Sequence, residues 1–488
     1  MLIGLIVTPR IMGALGENYY GIWILMAAVL GYYGLLDLGI SSAIVRYAAR
    51  YTGQKDRESL NRTANTAMIL FTFIGLVALV LSFVLAEVIV RFFNINPGDW
   101  LMVKRCIWLL GITTALLFPA NVMSVLMIAH ERFVIRNTEG VVTAVFRACL
   151  YLVSLHYGWG LIGLCWVNLV IGTTTFVINV LIMRLFFRHI KMWTKSFFDY
   201  SMIWAFLSFG FFTSIIQIGR LFKNKIGALV IGRCLDMNSV AVYGVAELLS
   251  GYLLSFVIAF SGVFQPRLAA LAGQQDGEAF GKTIKRYSVL VSNLSVCGGV
   301  LAFLLCRDFL TIWLPKDFSN PQIAAVIFTI LLVGLIPELV MGVMLNALLA
   351  VDKHKYYAYQ TLAEGVASIV MSIVFVKKFG IYGAALGVVL PAVVARAIIQ
   401  PVYCCKVFHI RWSQYMGEVM LKPLLLAVAV IIFFRITGIM YEVDSYPELL
   451  LKGMLISVAY LGASFFFCIG NSERRALIPE PVWQWLEV

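Results

Sequence analysis

Glu139-Gly140-Val141 and, shortly after it, Gly158-Trp159-Gly160-Leu161-Ile162-Gly163 each open a long apolar run, and both return in the second half of the chain. The first recurs as Glu364-Gly365-Val366 and the second, more loosely, as Gly380-Ile381-Tyr382-Gly383. Working outward, Tyr20-Gly21 returns as Tyr243-Gly244, and Gly53-Gln54-Lys55-Asp56 returns as Gly273-Gln274-Gln275-Asp276. Four landmarks that keep a spacing of 220 to 225 residues mark an internal duplication. A duplicated membrane bundle usually carries its substrate between the two copies and rocks one against the other.

Composition sets the class. Hydrophobic residues make up 61% of 488 positions, charged residues only 13%, and mean hydropathy is +0.91. A soluble domain does not have this balance. The fold expected is all-α and polytopic, because a crossing needs about 20 predominantly apolar residues. About fourteen such segments lie near 1–14, 18–45, 63–90, 101–129, 134–156, 160–183, 201–232, 237–265, 284–306, 322–351, 356–376, 380–405, 418–437 and 449–470. A membrane β-barrel would show alternating stretches of about ten residues instead. The first segment is short and meets Pro9 early, which suggests a helix whose true start lies upstream, with Pro9 as a kink.

Cations set the expected orientation. With the N-terminus cytoplasmic, loops on that side hold 22 of the 38 Lys and Arg residues, among them Arg46, Arg50, Arg132, Arg184, Lys285, Arg474 and Arg475. The opposite side holds 11, and five lie within spans. The positive-inside rule then puts both termini in the cytoplasm. Topology and anionic headgroups account for most of the net charge of +13, so no nucleic-acid partner is expected. The nine cysteines have no Cys-x-x-Cys pair and the five histidines are scattered, so neither a metal nor a cofactor is expected. The longest connection, from about Arg267 to Arg286, is too short to hold a catalytic domain, and no catalytic residues are assigned.

Polar side chains inside the spans are the candidate site. On segment seven Thr213, Gln217, Arg220 and Asn224 fall on one helical stripe, with Lys223 beside it and Lys225 further round. A charge at the bilayer centre costs about 2.5–3.5 kcal/mol, so such cations face water or an anion. The alternative is that segment seven outreaches the bilayer and these cations snorkel to an interface. Segment five carries Glu139 and Arg147, and its repeat carries Glu364. A carboxylate at the same place in both copies suits an H+ or Na+ site or a cavity acceptor; the alternative is a helix-end acid near the interface. Asp37, four residues before Ser41, is placed on one face with it. Glu87, Glu247, Glu338 and Arg396 are further candidates without a clear pairing.

Leu15-Gly16-Glu17-Asn18-Tyr19-Tyr20-Gly21-Ile22-Trp23, followed by Leu35-Leu36-Asp37-Leu38-Gly39-Ile40-Ser41 and Arg46-Tyr47, resembles the opening of the polysaccharide (O-antigen and exopolysaccharide) flippases. These belong to the multidrug/oligosaccharidyl-lipid/polysaccharide exporter superfamily. The resemblance implies two six-helix lobes around a central cavity, here 1–190 and 191–410, with two further helices and a cytoplasmic tail in 411–488. It also implies alternating-access transport of an undecaprenyl-pyrophosphate-linked oligosaccharide, not enzymatic chemistry. Expected partners are that substrate, membrane lipids, H+ or Na+, and glycan polymerase machinery. One departure is that no acidic residue lies between Met1 and Leu15, where drug-exporting relatives often carry one for ion coupling. Arg220, Lys223 and Arg147 are the expected pyrophosphate ligands, since inward-facing cations replace the lost hydration of an anion. An ion-coupled multidrug exporter of the same fold, or a membrane glycan polymerase or ligase, are the competing functions.

Overall fold

The computed structural model describes residues 2–273, 277–437 and 443–469, and among these the chain is helical with no strand. Twelve helical stretches are long and apolar enough to cross a membrane. Two of them contain a second crossing, because a glycine interrupts helical geometry inside each: Gly16 (φ 73, ψ 166) and Gly380 (φ 57, ψ −138). Fourteen crossings result. Glycine tolerates positive φ without a Cβ clash, so a chain reversal needs no separate loop. Gly160 and Gly380 share φ 57, so the repeated Gly-x-x-Gly starts the later helix of a pair from a glycine at positive φ in both halves. The second copy of Gly53-Gln54-Lys55-Asp56 falls largely outside the described residues, as do Arg474, Arg475 and the tail.

The chain divides into two compact units, Met1–Gly244 with Thr361–Val366, and Val245–Gln360 with Ala367–Val488. In the first unit the helices are α1 (Leu2–Gly31), α2 (Ile40–Gly53), α3 (Arg57–Phe92), α4 (Trp100–Ala129), α5 (Phe133–His156), α6 (Gly160–Phe186), α7 (Tyr200–Cys234) and the opening of α8 (Met237–Gly262). Asp56 and Asp199 start α3 and α7 as N-caps, accepting hydrogen bonds from the N–H groups of Ser59 and Ser201 at 3.0 and 2.9 Å. A core through α2, α3, α4 and α7 includes Ile44, Ala67, Phe71, Val122 and Phe206.

Segment 18–45 is not one helix. Between α1 and α2 the chain tightens into a 3-10 turn, Tyr32–Asp37, then passes Leu38 (φ 48) and Gly39 (φ 69) in left-handed conformations. At this point the backbone meets α7 so closely that a Cβ on Gly39 would lie 2.4 Å from the Gly210 carbonyl oxygen. Gly39→Ala therefore meets both a backbone penalty of about 1–2 kcal/mol and an overpacking penalty of about 1–3 kcal/mol. The expected result is a loss of about 3 kcal/mol in unfolding of the detergent-purified protein, whereas Gly53→Ala, with open space around it, should change little.

The second unit contains the rest of α8, α9 (Gln265–Gly273), α10 (Gly277–Trp313), α11 (Pro321–Val340), α12 (Gly342–Ala350), most of α13 (Lys355–Val393), α14 (Gln400–Val407), α15 (Trp412–Tyr415), α16 (Lys422–Ile436) and α17 (Tyr446–Phe467). The connection expected from Arg267 to Arg286 is helical on both sides of residues 274–276. Two π-turns, Val394–Ile399 and Met416–Leu421, end immediately before Gln400-Pro401 and Lys422-Pro423, so that one residue separates each turn from its proline. A proline removes an N–H donor and crowds the carbonyl four residues earlier, and widening the preceding turn relieves that crowding. The carbonyl facing Pro423 in this way is that of Val419, and the Ser292 hydroxyl donates to it. In the first π-turn the Gln360 amide donates to the Ala395 carbonyl at 2.6 Å, and Arg396, 1% exposed, donates to the Gln400 side-chain oxygen at 3.1 Å.

Candidate functional site

Helix α7 carries the expected cations and is crossed by two other elements of its unit. The first is the segment from Gly31 to Gly39. Gly31 faces the alkyl chain of Lys225, Gly34 faces Leu221, and Tyr32 packs on Phe222 with ring centroids 6.2 Å apart. The second is Thr361–Val366 of α13. A Cβ on Gly219 would sit 2.3 Å from the Thr361 carbonyl oxygen, and one on Gly365 would sit 2.6 Å from that of Gly219. Two glycines at one crossing let the backbones touch, as small residues do between membrane helices.

That contact carries charge. Lys223 Nζ lies 3.4 Å from Glu364 Oε1, with the two side chains 6% and 0% exposed. Removing two charges from water is offset only by close pairing, and this pair is clamped by the glycine contact one turn away. Arg220, one turn before Lys223, is half-buried, and no hydrogen bond or ion pair holds it among the described residues. Thr213, Asn224 and Lys225 are half-buried, and Gln217 is exposed.

The other candidates lie elsewhere. Asp37 is half-buried, and its carboxylate accepts from the Ser41 hydroxyl at 2.7 Å and the Ser41 N–H at 3.1 Å. Asp37 and Ser41 thus meet across the break between α1 and α2 instead of along one helix. The Asn121 amide of α4 donates to the Ser41 hydroxyl at 2.9 Å. This group lies near the Gly39–Gly210 crossing, and Gly210 and Gly219 are about 14 Å apart along α7 at 1.5 Å per residue.

Glu139 is half-buried on α5, and the Asn179 amide of α6 donates to it at 3.4 Å. Ser124 of α4 donates in turn to Asn179 at 3.3 Å. The two repeated carboxylates therefore differ in their surroundings: Glu139 accepts from a neutral amide with the Arg136 guanidinium nearby, and Glu364 faces a buried ammonium. Arg147 is exposed on α5 and shares no hydrogen bond or ion pair with the α7 group among the described residues. Glu87 pairs with Lys104 at 2.6 Å and with Arg91 at 3.5 Å. Asn121, Asn179, Gly219 and Thr361 were not among the expected residues. Gly365 had a visible signal, since it follows Glu364 in the repeated Glu-Gly-Val.

Fourteen crossings, counted with two of the twelve apolar stretches divided at Gly16 and Gly380, define a multi-pass helical membrane protein. The chain belongs to the polysaccharide biosynthesis protein family, whose match covers residues 1–272. It is 23% identical over 486 residues to the uncharacterized membrane protein EpsK of Bacillus subtilis (strain 168), covering 96% of this chain and 93% of EpsK. It is 20% identical over 398 residues to a putative O-antigen transporter of Shigella flexneri, covering 81% and 92%. The fold is shared with the lipid II flippase MurJ in an inward closed conformation, with a TM-score of 0.75 at 15% identity over 95% of this chain and 96% of MurJ.

Proposed function

We propose that this protein is a flippase that carries an undecaprenyl-pyrophosphate-linked oligosaccharide across the bacterial cytoplasmic membrane by alternating access, without covalent chemistry. The observation that carries this reading is the placement of Lys223, buried, and Arg220, half-buried, one turn apart within a membrane helix. A pyrophosphate leaving water needs cations to replace its hydration, and these two supply them. Lys225, Gln217 and Asn224 extend the same helix toward the sugars, Arg147 adds a cation from α5, and the polyprenyl tail stays in lipid. Lobes 1–190 and 191–410 rock about the substrate, with 411–488 as an addition. Both termini lie in the cytoplasm, on the cation-rich side. Asp37 and Glu139, which accept hydrogen bonds from neutral groups, are the carboxylates suited to H+ or Na+ coupling, and glycan polymerase machinery receives the product.

The test is the sidedness of lipid-linked glycan in a strain lacking the gene, read with a membrane-impermeant glycan probe. Completed units trapped on the cytoplasmic face are expected. Units exposed outside but unpolymerised would sink the flippase reading in favour of a polymerase, and normal exposure with altered drug sensitivity would do so in favour of drug export.

A further inference from the structure

Three features of Glu364 belong together: its side chain is fully buried, it faces the Lys223 ammonium, and it sits on the segment whose backbone touches α7 through Gly219 and Gly365. A carboxylate in this position does two things to an incoming anion. It neutralises the ammonium that the anion needs, and it repels the anion across a low-dielectric gap, where charges are poorly screened. Arg220, one turn away and half-buried, is available to make the first contact. A second anion reaching Lys223 must then take the ammonium from Glu364.

From this arrangement we propose that Glu364 is a positioning residue that masks Lys223, and that the diphosphate of the substrate, first held by Arg220, displaces the Glu364 carboxylate from the ammonium. The inference rests on the anion-binding reading of α7 given above and adds a residue that opposes binding. It also ties recognition to helix movement. Glu364 and Gly365 are neighbours on one turn, so a carboxylate leaving Lys223 loosens the same crossing that holds α7 against Thr361–Val366. A substrate without a strong anion has no means of exchanging with Glu364, so the masked lysine selects for diphosphate over neutral glycolipid.

The experiment measures binding of farnesyl diphosphate, and separately of inorganic diphosphate, to the purified full chain in detergent by calorimetry, with melting temperature as the check on folding. Wild type is compared with Glu364→Gln, which keeps shape and removes the competing charge, and with the double variant Lys223→Met/Glu364→Leu, which removes the pair. Glu364→Gln is expected to bind farnesyl diphosphate at least tenfold more tightly, and the folded double variant at least tenfold more weakly than wild type. The gain for inorganic diphosphate as well would place recognition in the headgroup, and a gain confined to the prenyl compound would place it on the lipid; either carries the exchange. Equal or weaker binding by Glu364→Gln, while wild type binds, overturns the masking role and leaves the anion site standing. Wild-type affinity in the double variant overturns Lys223 as the ligand that is masked. No binding of either compound by wild type or Glu364→Gln brings down the anion reading itself, and this inference with it.

Discussion

Lys223→Ala will destabilise the protein by about 3–5 kcal/mol, the cost found when one partner of a buried ion pair is removed. The reason lies with the residue that remains. Glu364 is fully buried, and alanine takes the ammonium away from a carboxylate that solvent does not reach. The glycine contact prevents an easy escape, because the backbones at Gly219 and Gly365 already touch and the turn carrying Glu364 cannot swing outward without separating α7 from Thr361–Val366. Lys223→Met/Glu364→Leu removes both charges and fills similar volume, and replacements of this kind are often neutral or stabilising. Unfolding of the two variants in mixed micelles checks the expectation. A double variant as unstable as Lys223→Ala would show that the lost stability comes from packing and not from the stranded charge.

The same pair shows how far the sequence could be read. The repeated Glu-Gly-Val and the cluster on α7 were each visible as patterns, because periodicity and repetition are local properties of a string. Their meeting was not visible, since Lys223 and Glu364 are far apart in the chain and two glycines decide the register of the crossing. Asp37 and Ser41 give the reverse case. Helical spacing placed them on one face, and they do meet, but a 3-10 turn and two left-handed residues bring them together. Leu38 in a left-handed conformation is uncommon for a bulky side chain, so nothing in Leu-Asp-Leu-Gly beyond its glycine announced the break. The fourteen crossings were legible because hydrocarbon thickness imposes a length and an apolar composition on each. The π-turns had a signal in Pro401 and Pro423, although the partner of the Val419 carbonyl, Ser292, comes from another helix. Arg396 belongs to the same class, as a buried cation whose surroundings only the folded chain defines.

Asn65→Leu is expected to produce the other large loss, about 2–5 kcal/mol, with early proteolysis between α6 and α7. The segment from Phe187 to Asp199 joins the two helices without regular structure over most of its length, yet side chains of α3 satisfy its backbone. The Asn65 amide donates to the Lys191 carbonyl at 2.5 Å, and its oxygen accepts from the Thr194 N–H at 2.7 Å. One turn earlier Asn61 donates to the His189 carbonyl at 3.1 Å and accepts from the Lys191 N–H at 2.6 Å. Thr66 accepts from the Asp199 N–H, and Arg62 pairs with the Asp199 carboxylate at 3.6 Å. Hydrogen bonds from the Ser201 hydroxyl and N–H, with a smaller contribution from Arg62, hold the Asp199 carboxyl below its ordinary range. Each buried group that loses its partner costs about 1–3 kcal/mol, and a leucine in place of Asn65 would strand one carbonyl and one N–H while leaving no cavity. Thr72→Val is the milder comparison, since it breaks the bond from the exposed Trp193 indole and a bond to the Met68 carbonyl of its own helix, and touches no backbone group of the strap. With the strap untied, trypsin should cut at Arg188 and Lys191 well before any site within the helices, as read by mass spectrometry of the first fragments. A strap that stays as resistant in Asn65→Leu as in wild type would mean that it is held by the packing of its own side chains, and that the asparagines of α3 follow the segment instead of fixing it.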